Sequence, residues 1–155
     1  MPEHHKDLGF VLLNIDNSPI YEHIFNVVSE FYKRNTYSQT IIFSSNCLKT
    51  DTKNIPILHL SHAKFFNGSL VLFDIPSLLI TQSFTNVYKK LFYASNIPWV
   101  NNSSGRYSEW YSIFTDQNLD IIAGNRDIYN IYEICWKKPI SISENFNYES
   151  LQSII

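Results

Sequence analysis

The feature that most constrains this chain is the alternation of short, fully apolar runs with segments in which apolar residues recur every three or four positions. Residues 10–15 form such a run and predict a strand that is covered on both faces. Ser18 and Pro19 then mark a helix start, and apolar residues continue at helical spacing as far as Phe31. A strand followed by a helix is the repeating unit of parallel α/β sheets.

The same patterns continue to the end of the chain. Further strands are predicted at residues 40–44, 55–60, 69–74, 97–100, 119–124 and 140–143. Further helices are predicted at residues 77–95, 107–114 and 126–137, with a short terminal helix at 149–155. Because parallel strands need right-handed crossovers, these elements predict one α/β domain over residues 1–155. The expected architecture is a three-layer sandwich around a mostly parallel, Rossmann-like sheet of six or seven strands.

Charge and hydropathy exclude several classes of partner. A net charge of −2 disfavours nonspecific nucleic-acid binding, which requires clustered Lys and Arg. The longest apolar stretches are interrupted by Asp74 and Pro76 and fall short of the roughly 20 residues that a membrane helix needs. The first residues lack the basic and apolar parts of a secretion signal. We therefore expect a soluble protein without membrane contact, located in the cytoplasm, or in the host cytoplasm if it is viral.

Familiar cofactor and catalytic motifs do not occur in the sequence. It contains no GxGxxG, no GxxxxGK[ST], no GxSxG, no CxxC and no HExxH. The four glycines of the chain leave little room for a phosphate cradle. Cys47 and Cys135 lie far apart, and the apolar neighbours of Cys135 predict a buried core thiol rather than half of a disulfide. No cofactor is predicted, and whether the chain is an enzyme stays open.

Polar residues follow most of the predicted strands. In open α/β sheets, ligands bind in the crevice beyond the carboxyl ends of the strands. The residues at these ends offer mostly neutral hydrogen-bonding groups, which suit a hydroxyl-bearing ligand such as a sugar better than a bare phosphate. Asp16 could act there as a base or as a ligand anchor. The candidate ligand-binding residues are Asp16, Asn46, His62, Asp74, Arg106 and Asn125.

Each candidate also has a structural interpretation. Asp16 and Asp74 could share Mg²⁺, but turns and helix caps favour aspartate at such positions in any case. The spacing of His59 and His62 does not place both on one face beside a strand, so no metal site is predicted. Asn125 fits a helix N-cap as well as a ligand contact.

Two further segments can be interpreted either as ligand-binding elements or as ordinary parts of the structure. Residues 103–106 could bind an anion through backbone N–H groups and the Arg106 guanidinium, or could form an ordinary surface loop. Four aromatic residues recur within residues 107–114. They could form a stacking platform for a sugar ring or a base, although such residues more often form core or an interface. The four are Tyr107, Trp110, Tyr111 and Phe114.

The chain resembles one known family. The order of a strand, a Pro-initiated helix and two strands, followed by the segments 65–74 and 119–125, is similar to the N-terminal Rossmann-like half of a GT-B-type glycosyltransferase. Residues 139–149 are similar to the end of that half. The resemblance implies a module that binds a sugar or nucleotide sugar. Because the second domain of the family carries most donor contacts, it also implies that this chain is not a complete transferase alone.

Two other functions are compatible with the residues. The first is a non-catalytic interaction protein that uses an aromatic surface to form a homodimer or to bind a partner protein. Its source would be a phage or a bacterium, because Ile, Asn, Lys, Tyr and Phe are encoded by AT-rich codons and are abundant here. The second is a small enzyme in which Asp16 and Asp74 hold a divalent metal ion.

Overall fold

A seven-stranded, entirely parallel sheet forms the centre of the protein in the computed structural model, which describes residues 7–16, 18–34, 37, 39–46, 55–101 and 107–155. The strand order is β3-β2-β1-β4-β5-β6-β7. The strands are β1 (Asp7–Val11), β2 (Gln39–Ser44), β3 (Ile57–His59), β4 (Ser69–Leu72), β5 (Lys89–Ala94), β6 (Leu119–Ala123) and β7 (Ser141–Ile142).

Helices cover both faces of this sheet. They are α1 (Pro19–Lys33), the 3₁₀-helix η1 (Leu60–Phe65), α2 (Ile75–Thr81), α3 (Pro98–Asn101), α4 (Tyr107–Phe114), α5 (Arg126–Cys135) and α6 (Tyr148–Gln152). The buried residues of α1 and α6 pack on one face, here called the α1 face. Those of η1, α2, α4 and α5 pack on the other, here called the α5 face. The predicted three-layer, Rossmann-like α/β fold is confirmed.

Because side chains alternate along a strand, the sheet contributes to the hydrophobic core on each of its two faces. In β1, Leu8 and Phe10 face α1 while Val11 faces the opposite layer, and all three are fully buried. Such strands contain apolar residues on both faces, which explains the continuous apolar runs in the sequence. Among the described helices, none is long and apolar enough to cross a bilayer.

A tight turn connects β7 to α6. Asn145 and Phe146 both have positive φ angles, 57° and 47°, in the left-handed region that non-glycine residues rarely occupy. His23 Nε2 of α1 donates to the carbonyl oxygens of both residues, at 2.5 and 3.1 Å. The Tyr93 hydroxyl donates to the Ser143 carbonyl at 3.1 Å. These bonds hold the turn, here called the C-terminal turn, against the α1 face.

The buried ring of Phe146 also anchors the C-terminal turn in the core of the α1 face. It lies with centroid distances of 4.8 Å to Phe73 and 4.9 Å to Tyr93, in edge-to-face arrangements. Phe146 is buried, whereas Asn145 is exposed. The left-handed backbone therefore turns one aromatic side chain into the core and leaves its neighbour in solvent.

Several element predictions are confirmed, while others need correction. Strands and helices are found near the predicted 40–44, 107–114, 119–124 and 126–137. The first strand begins and ends earlier than predicted, at Asp7–Val11. The strand predicted at 55–60 is the short β3, which lies at a sheet edge, where a proline such as Pro56 is tolerated.

The predicted helix at 77–95 is wrong beyond its first turns. Helix α2 ends at Thr81, and Lys89–Ala94 forms β5 between β4 and β6. A helix over 77–95 would place Lys89 and Lys90 near its C-terminal end. Lys90 is instead buried at the start of β5, and its Nζ donates to the Gln82 carbonyl at 3.2 Å.

The strand predicted at 97–100 is also wrong. Pro98–Asn101 is the short helix α3, with Pro98 at its first position, where a missing N–H costs little. Trp99 is therefore a helical residue and only partly buried. Its ring lies 4.9 Å from Tyr132 and 5.5 Å from Trp136, so it joins the aromatic packing of the α5 face.

Candidate functional site

The order in which strands are added reverses between β1 and β4: the chain runs from β1 through β2 to the edge strand β3, and then continues with β4 on the other side of β1. Register pairs Phe10 with Val71 and Val11 with Leu72, so the two strands end side by side. After β1 the chain enters α1 on one face, and after β4 it enters α2 on the other. The two connections diverge at this topological switch point, the place where ligands of open α/β sheets bind.

Asp16 lies at this switch point, after β1 and before α1. Its side chain is exposed, and its Oδ1 accepts a hydrogen bond from the Ser18 N–H at 2.8 Å. Interactions with the Ser18 side chain and then with the Ser18 backbone lower the pKa of Asp16 below its usual value. The carboxylate is therefore ionised at neutral pH and accepts hydrogen bonds only.

Asp74 follows β4 and caps α2. Its Oδ1 accepts from the Ser77 N–H at 2.7 Å and from the Ser77 hydroxyl at 2.6 Å. The predicted capping interpretation is therefore confirmed for this residue. Both bonds use the same oxygen, and a carboxylate offers about four acceptor positions over its two oxygens. Capping thus leaves Asp74 with capacity to accept from a ligand.

Tyr21 is the third member of the site and was not predicted from the sequence. It occupies the first turn of α1 and is partly buried. Burial raises the pKa of Tyr21, and the charges of Asp74 and then Asp16 raise it further. Its hydroxyl therefore stays protonated at neutral pH and can donate a hydrogen bond. We call Asp16, Tyr21 and Asp74 the switch-point site.

Asn46 follows β2, and its side-chain amide makes hydrogen bonds to other parts of the fold. Its Oδ1 accepts from the Ile15 N–H at 2.9 Å, and its Nδ2 donates to the Ile15 carbonyl at 3.2 Å. The Ser44 hydroxyl also donates to Oδ1, at 2.9 Å. These bonds connect the loops that follow β1 and β2, so Asn46 supports the position of the segment that carries Asp16.

The two remaining described candidates lie on other elements. His62 is an exposed residue of η1, after the edge strand β3. Asn125 follows β6 and caps α5, where its Oδ1 accepts from the Ile128 N–H at 2.9 Å. Neither residue hydrogen-bonds to Asp16, Tyr21 or Asp74 within the described part of the chain. Of the predicted site residues, Asp16 and Asp74 follow the neighbouring strands β1 and β4.

Other predictions fall on residues that the structure does not describe. Arg106 and the rest of the 103–106 segment lie outside the described residues, as does Cys47. Cys135 is described and is a free, exposed thiol, so the prediction of a buried core thiol is wrong. It lies on the outer side of the last turn of α5, next to Ile134, which is 83% exposed.

The chemistry of the switch-point site follows from its three side chains. Two carboxylates accept hydrogen bonds, and one phenol donates or accepts. Among the described residues, no group of three or more His, Cys, Asp or Glu side chains converges as a metal site would require. The arrangement is therefore suited to binding hydroxyl groups through charge-assisted hydrogen bonds.

The fold and the site together define a class: a Rossmann-like α/β protein with acidic side chains after the two strands that flank its switch point. Comparisons of the chain with protein families, with curated proteins and with solved structures find no match. The class is therefore assigned from the strand order and the side chains of this protein itself.

Proposed function

We propose that this chain is a glycosyltransferase-like module that binds a sugar or the sugar part of a nucleotide sugar at the switch-point site. The observation that supports the proposal most is the pairing of β1 with β4, which brings side by side the ends of the two strands that lead to Asp16 and Asp74, with Tyr21 in the first turn of the helix that follows Asp16. Sugars present several hydroxyl donors in a small volume, and two carboxylates with one phenol match such a group.

The sign of the charge favours a sugar over a phosphate as the group at this position. Asp16 and Asp74 are both acidic, and their carboxylates would repel a phosphate placed between them. Asp16 is ionised because its pKa is lowered. A nucleotide sugar would therefore place its sugar, not its diphosphate, against these three side chains.

The way in which the site is held also supports binding. Asp16 is positioned by Ser18 and Asp74 by Ser77, and the Tyr21 ring packs against the core of the α1 face. The segment that carries Asp16 is further tied to β2 through Asn46. Side chains that are already oriented lose little conformational freedom when a ligand binds.

The test is a titration of the purified protein with glucose, UDP-glucose, GDP-mannose and UDP, followed by calorimetry and by thermal shift. We expect Tyr21→Phe and Asp16→Asn each to weaken sugar or nucleotide-sugar binding about tenfold, the loss of roughly one hydrogen bond to a charged group. Asp127→Asn is the matched control, because Asp127 is an exposed aspartate in the first turn of α5.

Two results would contradict the proposal. The first is the absence of binding by any of these four compounds. The second is binding that Tyr21→Phe and Asp16→Asn leave unchanged. A response to UDP equal to that of UDP-glucose, with no response to glucose, would show that the nucleotide rather than the sugar is recognised, contrary to the charge argument.

A further inference from the structure

We propose that a groove between α1 and α6 binds a free α-amino acid with a neutral polar side chain, such as glutamine. The groove, here called the α1–α6 groove, is lined by one stripe of α1 and by residues 147–149, and it has a volume of about 400 Å³. Small-molecule sites in proteins have volumes of about 300–1,000 Å³. Asp16, Tyr21 and Asp74 do not line the groove, so a ligand bound there is independent of the switch-point site.

The helical spacing of α1 gives the groove its length. The lining residues of α1 include His23, Asn26, Glu30 and Lys33, which recur at intervals of three or four positions and therefore lie on one side of the helix. At a rise of 1.5 Å per residue, this stripe is about 15 Å long. The groove is therefore long enough for a small ligand that lies along the helix.

Charged side chains of both signs meet at the end of α1. Arg34 Nε donates to Glu30 Oε2 at 3.3 Å, and Lys33 Nζ lies 4.0 Å from Glu30 Oε1. The Arg34 guanidinium also lies 4.4 Å from the centre of the Tyr148 ring, in the residue before Glu149. Two carboxylates and two cations therefore line this end of the groove, here called its charged end.

The balance of charges at this end favours a ligand that carries both a carboxylate and an ammonium group. The planar guanidinium of Arg34 suits a carboxylate, and the Glu30 carboxylate accepts hydrogen bonds from an ammonium. An α-amino acid carries both groups on one carbon, which matches an acid and a guanidinium held 3.3 Å apart. A phosphate would meet the carboxylates of Glu30 and Glu149 as well as the cations, so it is disfavoured.

Amide side chains line the groove beyond its charged end. They belong to Asn26 of α1 and to Asn147, which precedes α6. Asn147 Oδ1 accepts from the Ser150 N–H and its Nδ2 donates to the Glu144 carbonyl, both at 2.9 Å. A primary amide has two N–H donors and two lone pairs, so Asn147 keeps capacity to bind a ligand. A glutamine bound at the charged end would extend its own amide along α1 towards these groups.

Helix α6 is held against α1, so the groove exists before a ligand binds. The Tyr148 ring lies 4.5 Å from the ring of the buried Phe31, and Leu151 is fully buried in the core of the α1 face. His23 Nε2 donates to the C-terminal turn, which leads into α6. Walls that are fixed in this way lose little conformational freedom on binding.

The experiment is an NMR titration of the full chain, in which the backbone amide signals are followed as L-glutamine is added. We expect a Kd of about 1 mM, with shifts concentrated in residues 26–34 and 147–149. Glutamine amide lacks the carboxylate and N-acetyl-L-glutamine lacks the ammonium group. Each should bind about tenfold more weakly, the loss of roughly one hydrogen bond between charged groups. L-Leucine and acetate test the side chain and the carboxylate alone, and both should bind more weakly than L-glutamine.

Variants of one arginine on each face separate the groove from a general effect of charge. Arg34→Gln should weaken L-glutamine binding about tenfold, and Arg34→Lys should also weaken it, because lysine keeps the charge but lacks the planar fork. Arg126→Gln is the matched control. Arg126 lies 5.1 Å from the centre of the Tyr129 ring on α5, much as Arg34 lies over Tyr148, but it does not line the groove.

Four outcomes would overturn the amino-acid site. They are no amide shifts with L-glutamine up to about 20 mM, equal binding of L-glutamine and either derivative, equal binding of L-leucine or acetate, and a Kd that Arg34→Gln leaves unchanged. Equal binding of acetate would identify a site for anions only. Asp16→Asn should not alter glutamine binding, so failure of the switch-point proposal and failure of the amino-acid site are distinguishable.

Discussion

The two faces of the sheet are covered in different ways. On the α5 face, rings of Trp99, Phe114, Tyr132 and Trp136 contact one another across three helices, and the layer is held mainly by packing. On the α1 face, one helix of 15 residues covers most of the core, and the chain returns over it through the strained C-terminal turn.

The aromatic layer of the α5 face and the C-terminal turn are therefore stabilised by different interactions. The aromatic layer gains its free energy from buried area and ring contacts, which a large-to-small substitution removes together. The C-terminal turn combines the buried ring of Phe146 with a few hydrogen bonds that compensate an unfavourable backbone. Substitutions on the α5 face should therefore cost more than substitutions of the polar groups on the α1 face.

The largest expected effect is that of Phe114→Ala. Phe114 is fully buried, and its ring contacts those of Phe92, Trp99, Trp110, Tyr132 and Trp136. Its truncation should lower the free energy of unfolding by about 3–5 kcal/mol, as measured by urea denaturation. A loss below about 1 kcal/mol, within the range of ordinary single substitutions, would show that this layer does not depend on its packing.

A smaller effect is expected for His23→Ala on the opposite face. The substitution removes the donor to the carbonyls of Asn145 and Phe146, and should lower the free energy of unfolding by about 1–2 kcal/mol. His23→Gln, which keeps a donor, is the matched variant. If alanine and glutamine give the same stability, the His23 bonds do not hold the turn.

The smallest effect is expected at Asn145. Its φ of 57° disfavours a Cβ-bearing residue without a local hydrogen-bonding side chain, so Asn145→Ala should cost about 1 kcal/mol. Asn145→Gly should stay within a few tenths of a kcal/mol of the parent protein, because glycine accepts this conformation freely. Urea denaturation of both variants tests whether Asn145→Gly is more stable than Asn145→Ala. Equal stabilities for the two would mean that the turn is not strained in solution.

The long elements of the fold could be predicted because their patterns are local. Ser18 and Pro19 define the start of α1, and the apolar spacing that follows needs no tertiary information. The region around β5 could not be predicted in this way. Leu91 and Phe92 continue the helical spacing of Leu78 and Phe84, and only their position between β4 and β6 makes them strand residues.

The site was predictable only in part, for a related reason. Asp16 and Asp74 are visible in the sequence because each follows an apolar strand. Tyr21 was missed because its closeness to Asp74 arises from the pairing of β1 with β4, which no local pattern encodes. The position of Tyr21 in the first turn of a helix that begins at a strand end was the available signal. Asn46 was predicted as a ligand contact, but its bonds to Ile15 depend equally on the pairing of β1 with β2.

The lengths of the two outermost strands have a consequence for solubility. β3 has three residues and β7 has two, and they form the two margins of the sheet. A strand at a margin presents unpaired backbone groups that can recruit another chain, and the hazard grows with its length. Because both margins are so short, the sheet offers little template for stacking into fibrils, and the protein should tolerate high concentrations without joining its copies strand to strand.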